Sequence, residues 1–303
     1  MTPYRYLHLD VFTDRLFEGN QLAVFPDARG IDERWMQPLA REMAFSETVF
    51  MLPPVTASAE KRLRIFTPGR ELPMAGHPTI GSAFVWAQAH AGGAMPSSIV
   101  FDLGVGPLQI PLEWQGGALR FAWMHQPKPV FSAPIDRRGA AALAEALHLP
   151  ASTTFAAPPR IVSSGVPYLF APLTSEADVD AGVPDALRLS ALFAAIGHAE
   201  TGVFLFARSA RTEAQLYSRM FAPAFGVQED PATGSASGPL GAYALEHGLV
   251  TADEARALVS LQGVKMGRPS YVHIGVAGAA GRIEGVKIGG TSRFVAEGLL
   301  TVP

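Results

Sequence analysis

The sequence predicts an α+β protein made of two similar lobes. Three observations carry that expectation: a long-period internal repeat, a mixture of short β-type runs and amphipathic helices in both halves, and enough chain for two ordinary hydrophobic cores. The chain has 303 residues, 48% of them hydrophobic.

The repeat is clearest where Arg64-Ile65-Phe66-Thr67-Pro68, followed by Glu71, Gly76 and His77, is laid over Arg219-Met220-Phe221-Ala222-Pro223, followed by Glu229, Gly234 and Ser235. The offset is 155 residues at the arginines and 158 at the glycines, so the second copy carries a three-residue insertion. Upstream, Ser46-Glu47-Thr48 resembles Ala199-Glu200-Thr201, which places Glu200 opposite Glu47, and Gly19-Asn20 loosely echoes Gly165-Val166. The matching pieces keep their order, as a duplicated gene would leave them.

Apolar alternation and apolar runs predict strands over 6–12, 47–52, 63–66, 99–103 and 119–123, and again over 168–172, 203–207, 214–221, 271–276 and 283–288. Helical spacing predicts helices over 32–44, 79–89, 137–147, 185–195 and 237–247, with a short one from Ala252. Several open on an Asp, Ser or Thr suited to capping free backbone N–H groups. The stretch Gln126-Pro127-Lys128-Pro129 reads as the linker, giving lobes of 1–127 and 128–291, with 292–303 a candidate to rejoin the first.

Composition removes several function classes. The net charge is −3, and no run of Lys and Arg matches a phosphate backbone or an anionic membrane surface. The N-terminal residues carry charges where a signal peptide needs an apolar core, and no stretch reaches membrane-spanning length, so a cytoplasmic location is expected, with no nucleic-acid or membrane partner. Cysteine is absent, which excludes disulfides, thiolate metal sites and thiol catalysis. The eight histidines show no i, i+4 pair, so their spacing gives a metal site no support. No P-loop and no dinucleotide-binding glycine fingerprint occurs.

The repeat itself points to candidate chemistry. In both copies a Gly-rich segment, read as a turn, leads into a small-residue helix: Gly76 to Gly81, then 82–89; Gly234 to Gly238, then 240–245. Small residues let backbone approach a ligand, and free N–H groups at a helix start attract a carboxylate. Either segment alone fits an ordinary capping turn; the duplication beside acidic residues favours function. Asp230 suits proton acceptance or the orientation of a base, His77 donation or proton relay, and Ser235 hydrogen bonding of the same group. Glu47 opens a strongly apolar strand, where partial burial would raise its pKa and suit it to both acid and base work. For each residue a structural reading stands beside the functional one: Asp230 as a turn former, His77 as a satisfied partner of loop backbone, Ser235 as a cap, Glu47 as a solvated strand end.

Taken together, Asp10-Val11-Phe12-Thr13, Gly19-Asn20, Ser46-Glu47-Thr48, Phe66-Thr67-Pro68, Gly76-His77-Pro78-Thr79, Glu229-Asp230-Pro231 with Thr233-Gly234-Ser235-Ala236, Gln262-Gly263 and Gly267-Arg268-Pro269-Ser270 resemble the phenazine-biosynthesis PhzF-like family. The resemblance implies a diaminopimelate-epimerase type of fold: two pseudo-symmetric lobes, each a curved sheet or barrel around a central helix, with the active site in the cleft between. It implies a cofactor-independent isomerase and a homodimer. Glu47 would be the general acid/base, with Asp230 and His77 relaying protons and with Gly76, Thr233, Gly234 and Ser235 holding a small carboxylate-bearing, cyclic or conjugated substrate. Amino-acid epimerases of this fold use two cysteines, which this chain lacks, so a proton shift by one carboxylate fits better than two-base inversion. Two alternatives stay open: a lyase or dehydratase on the same scaffold, and a metabolite-binding protein without turnover.

Overall fold

Strands paired in parallel and covered on both faces need continuous apolar runs, and Leu22-Ala23-Val24-Phe25 and Val49-Phe50-Met51 supply them. The computed structural model describes residues 1–303, which divide into two units: Met1–His125 with Gly289–Pro303, and Gln126–Ile288. In the first, β1 (Thr2–Val11) is antiparallel to β2 (Asn20–Phe25), and β2 is parallel to β3 (Glu47–Leu52). The crossover is α1 (Glu33–Met43), started by the Asp32 carboxylate accepting from Arg34 N–H at 3.0 Å and stopped by Ala44 in the left-handed region at φ 54°. Next, β4 (Lys61–Phe66) is antiparallel to β3, and the two-residue β5 (Glu71–Leu72) folds back on β4. After α2 (Gly76–Ala89), β6 (Ser98–Leu103) pairs parallel with β4, and β7 (Gly106–Gln115) and β8 (Ala118–Gln126) continue antiparallel. The final strand, Ser292–Val302, is antiparallel to β1.

The helix α2 has no polar face: every residue from Gly76 to Ala87 is buried. A helix apolar all round has to sit inside its unit rather than on it. Gly81 allows the close approach, since a Cβ there would collide with the Leu22 side chain and lie 3.0 Å from Val11 Cγ2. Under α1, the Phe25 and Phe50 rings stack at 4.9 Å and Phe66 meets Phe50 edge-on at 5.5 Å. Each such ring contributes on the order of 2–3 kcal/mol by leaving water.

The second unit opens with β9 (Val130–Pro134), α3 (Arg137–Ala146) and β10 (Arg160–Ser163), which is antiparallel to β9 and to β11 (Pro167–Pro172). Helices α4 (Glu176–Ala181) and α5 (Ala186–Ala195) lead to β12 (Gly202–Arg208), parallel to β11. Then β13 (Leu216–Ala222) is antiparallel to β12, and β14 (Val227–Asp230) folds back on β13. Following α6 (Gly234–Glu246) and α7 (Ala252–Ala255), β15 (Leu258–Gln262) is parallel to β13 and antiparallel to β16 (Ser270–Ala279). The chain then runs through β17 (Arg282–Gly290) to β18, the strand Ser292–Val302 described above. In α6 only Ser235 and Glu246 escape full burial, and Gly241 admits Ile274 Cγ2 to 2.6 Å of where a Cβ would be.

The two units therefore repeat one ladder: β1 to β5 with β6 and β7 correspond in order and direction to β10 to β14 with β15 and β16. Matched side chains confirm the correspondence. Arg64 holds Glu71 through two bonds of 2.7 and 2.8 Å, and Arg219 holds Glu229 through two of 2.9 and 2.8 Å. Thr79 Oγ1 donates to the Ala75 carbonyl, as Ser237 Oγ does to that of Thr233. The Gly-rich segments expected to be turns are instead the first turns of α2 and α6, because burial on all sides outweighs the low helix propensity of Gly.

Candidate active site

In the first unit, four polar residues converge where β2, β3 and α2 begin. Glu47, the first residue of β3, has a side chain only 16% exposed, and its Oε2 lies 3.3 Å from Nε2 of His77, which is 4% exposed on the first turn of α2. Asn20 Nδ2 stands 3.4 Å from His77 Nδ1, and Ser46 Oγ donates to Asn20 Oδ1 at 3.2 Å. Burial pushes His77 down to about 3, a hydrogen bond with the Gln21 backbone opposing it only in part, so the imidazole is neutral at any physiological pH. His77 can exchange hydrogen bonds with a carboxyl group, but it offers no positive charge. Ala75, at the cap position of α2, has no side-chain acceptor for the first N–H groups of the helix.

A second cluster forms in the other unit where β14 meets α6. Thr233 Oγ1 donates to Asp230 Oδ2 at 2.5 Å and accepts from Gln262 Nε2 at 3.0 Å. Gln262, wholly buried, also binds the Asp230 carbonyl at 2.7 Å and accepts from Thr233 N–H at 3.1 Å. Because the Thr233 hydroxyl is committed to Asp230, it makes no cap to α6, which begins at Gly234 and Ser235. Ser235 Oγ lies 2.7 Å from the Tyr168 hydroxyl, while Gln126 Nε2 donates to the Gly234 carbonyl at 3.0 Å.

Of the residues singled out from sequence, Glu47, Gly76 and His77 come together in the first unit, and Asp230, Thr233, Gly234 and Ser235 in the second. The placement of Glu200 is corrected. Leu22 pairs with Glu47 across β2 and β3, and Tyr168 pairs with Gly202 across β11 and β12, so Gly202 occupies the position of Glu47. Glu200 precedes the strand, is exposed, and accepts from Ser190 Oγ at 2.6 Å. Sequence reasoning gave no role to Asn20, Gln262 or Tyr168. The first two stand inside motifs already noted, and Tyr168 shows as a hydroxyl where the first copy has Leu22. A cavity of about 810 Å³ between α3 and α5, lined by Ile135, Arg138, Arg188 and Leu192 among others, includes none of the expected site residues. No group of three or more His, Asp and Glu side chains is placed to hold a metal ion, and no helix is long and apolar enough to cross a membrane.

The family model described as "Phenazine biosynthesis-like protein" matches residues 9–298. The chain belongs to that family. Among the phenazine biosynthesis-like proteins, the trans-2,3-dihydro-3-hydroxyanthranilate isomerase of Pseudomonas aeruginosa is 35% identical over 298 residues, covering 97% of this chain and 98% of the relative. The crystal structure of a PhzF-family phenazine biosynthesis protein from Bacillus anthracis superposes with a TM-score of 0.84 at 25% identity, covering 100% of both chains. A hydroxyproline epimerase from Agrobacterium vitis shares the fold alone, with a TM-score of 0.64 at 11% identity over 99% of this chain and 91% of that one. This phenazine biosynthesis-like protein is accordingly an isomerase on an epimerase-type fold.

Proposed function

We propose that the chain catalyses a cofactor-independent proton shift on a small cyclic carboxylate, with Glu47 as both acid and base. The observation that carries this reading is the Glu47 carboxylate at the mouth of a buried strand, 3.3 Å from an imidazole that burial keeps neutral. A neutral imidazole has one N–H and one lone pair, so it can orient the carboxyl group in either protonation state without locking it as a permanent anion. Ionised Glu47 takes a proton from a carbon next to the conjugated system. The electron pair left behind delocalises toward the substrate's carboxylate, and neutral Glu47 returns the proton to another carbon on the same face. Double bonds move, the proton count is unchanged, and the product has the mass of the substrate.

Asp230 and Ser235, with Thr233 and the backbone N–H groups of Gly76 and Gly234, contribute to holding the same substrate's polar groups. Asp230 is suited to an amine or hydroxyl, and the helix-start N–H groups to a carboxylate. The substrate class follows from the relative's named activity, a ring bearing carboxylate, amine and hydroxyl. Incubation with trans-2,3-dihydro-3-hydroxyanthranilate tests the reading: wild type yields an isomer of equal mass, and Glu47→Gln, while remaining folded, forms it about 10³-fold more slowly. A product one water lighter would move the chemistry to elimination, and turnover by Glu47→Gln at a rate near that of wild type would remove Glu47 from the mechanism.

A further inference from the structure

Compared position by position along the duplicated ladder, the two junctions differ in the pair of residues that face each other at the strand start. Where the first unit has Leu22 beside Glu47, the second has Tyr168 beside Gly202. A Cβ at Gly202 would stand 2.9 Å from Cδ1 and 3.0 Å from Cε1 of the Tyr168 ring, with Met220 Sδ at 3.2 Å. The tyrosine ring thus fills the room in which a Glu47-like side chain would begin. Its hydroxyl reaches residue 235, the counterpart of His77, at 2.7 Å. Glu47 with His77 in one unit is answered by Tyr168 with Ser235 in the other.

We propose that Tyr168 is a positioning residue for substrate binding, its hydroxyl donating to Ser235 Oγ so that the Ser235 proton is presented to the substrate carboxylate. This rests on the function proposed above. A serine hydroxyl rotates freely and splits its time among directions. Accepting from a phenol held in a core strand, with Tyr168 only 8% exposed, fixes a lone pair inward and aims the proton outward. The burial that excludes a second carboxylate at position 202 is the same packing that anchors the phenol.

Tyr168→Phe deletes the hydroxyl and keeps the ring against Gly202. The test measures KM and kcat for trans-2,3-dihydro-3-hydroxyanthranilate, and Kd for aromatic 3-hydroxyanthranilate, which keeps the carboxylate, amine and hydroxyl but has no proton to shift. Tyr168→Phe should raise KM and Kd about fivefold, the worth of one ordinary hydrogen bond, and leave kcat within about twofold. In a Ser235→Ala background the same substitution should change neither value further. Unchanged KM and Kd in Tyr168→Phe, or effects of the two substitutions that multiply in full, would overturn the proposal. A fall in melting temperature with KM and Kd unchanged would likewise assign Tyr168 to packing alone. Glu47→Gln measured alongside keeps the two readings apart. Turnover in that variant at a rate near that of wild type overturns the acid/base assignment, while the Kd comparison, which needs no turnover, still decides the role of Tyr168.

Discussion

The two units build the same junction of strand start and helix start, and they equip it differently. In the first, the strand-initial residue is Glu47, set against a neutral His77 and backed by Asn20 and Ser46. In the second, that position is Gly202, closed by the Tyr168 ring, and the carboxylate is Asp230 at the end of β14, tied to Thr233 and through it to Gln262. The first junction keeps a carboxyl beside a neutral imidazole that can exchange hydrogen bonds with it. The second binds its carboxylate into a network of fixed donors. On the function proposed above, the first junction is assigned the proton transfer and the second the binding of substrate.

That division can be broken by substitution, and the largest effect belongs to Glu47. Glu47→Gln should lower kcat by about 10³-fold, within the range of a lost general acid/base, with ligand affinity retained. The matched loss at the other end, Asp230→Asn, should leave the fold intact, because the amide oxygen still accepts from Thr233. It should weaken kcat/KM by roughly tenfold to a hundredfold, the scale of one hydrogen bond to a charged group, chiefly through KM. Steady-state kinetics of both variants would show whether the labour is split; equal losses of kcat in both would blur it.

The repeated Arg–Glu pair sharpens the contrast on stability. The Arg219 side chain, 9% exposed, grips Glu229 and also donates to the Val179, Asp180 and Gly182 carbonyls at the end of α4. Arg64 grips Glu71, a partner 42% exposed, and reaches Glu33, 77% exposed. Arg219→Met should cost about 3 kcal/mol by stranding Glu229 and three carbonyls, and Arg64→Met about 1 kcal/mol. Urea unfolding monitored by circular dichroism measures both.

His77 supplies a pH signature of the first junction. Its folded pKa of about 3 lies below the ordinary 6.5, so between those values the unfolded chain binds the proton and the folded one does not. Stability from this group is present above pH about 6.5 and is lost as pH falls toward 3, at about 1.4 kcal/mol per pH unit. His77→Gln should flatten this acid limb in thermal melts taken from pH 7 to 4; an unchanged slope would place the lost stability elsewhere.

Much of the frame was legible because local signals and tertiary pairing agree. Residues 47–52 form the expected strand end to end, and the Asp-capped helices begin within a residue or so of where the caps point. What escaped depends on pairing across the chain. The shared Glu-Thr dipeptide aligned Glu200 with Glu47, whereas hydrogen bonding to β11 sets the register two residues later, at Gly202. Pro107 and Pro111 hid the strand β7, since proline reads as a strand breaker until an actual ladder leaves its position free of an N–H requirement. Gly76 and Gly234 read as turns because only burial on every side makes a glycine start helical. Glu47, His77, Asp230 and Ser235 were visible through the repeat and the family motifs. Tyr168, an aromatic inside an apolar strand, gains a role only when β11 is set beside α6.

The central claim is that Glu47 alone moves the proton, and solvent-deuterium incorporation tests it most directly. Wild type incubated with trans-2,3-dihydro-3-hydroxyanthranilate in D₂O should give a product carrying deuterium at a single ring carbon by NMR, or none there if the shielded carboxyl returns the same proton. In Glu47→Gln both isomerisation and labelling should fall about 10³-fold. Isomerisation by Glu47→Gln at a rate near that of wild type, with or without label, would contradict the account.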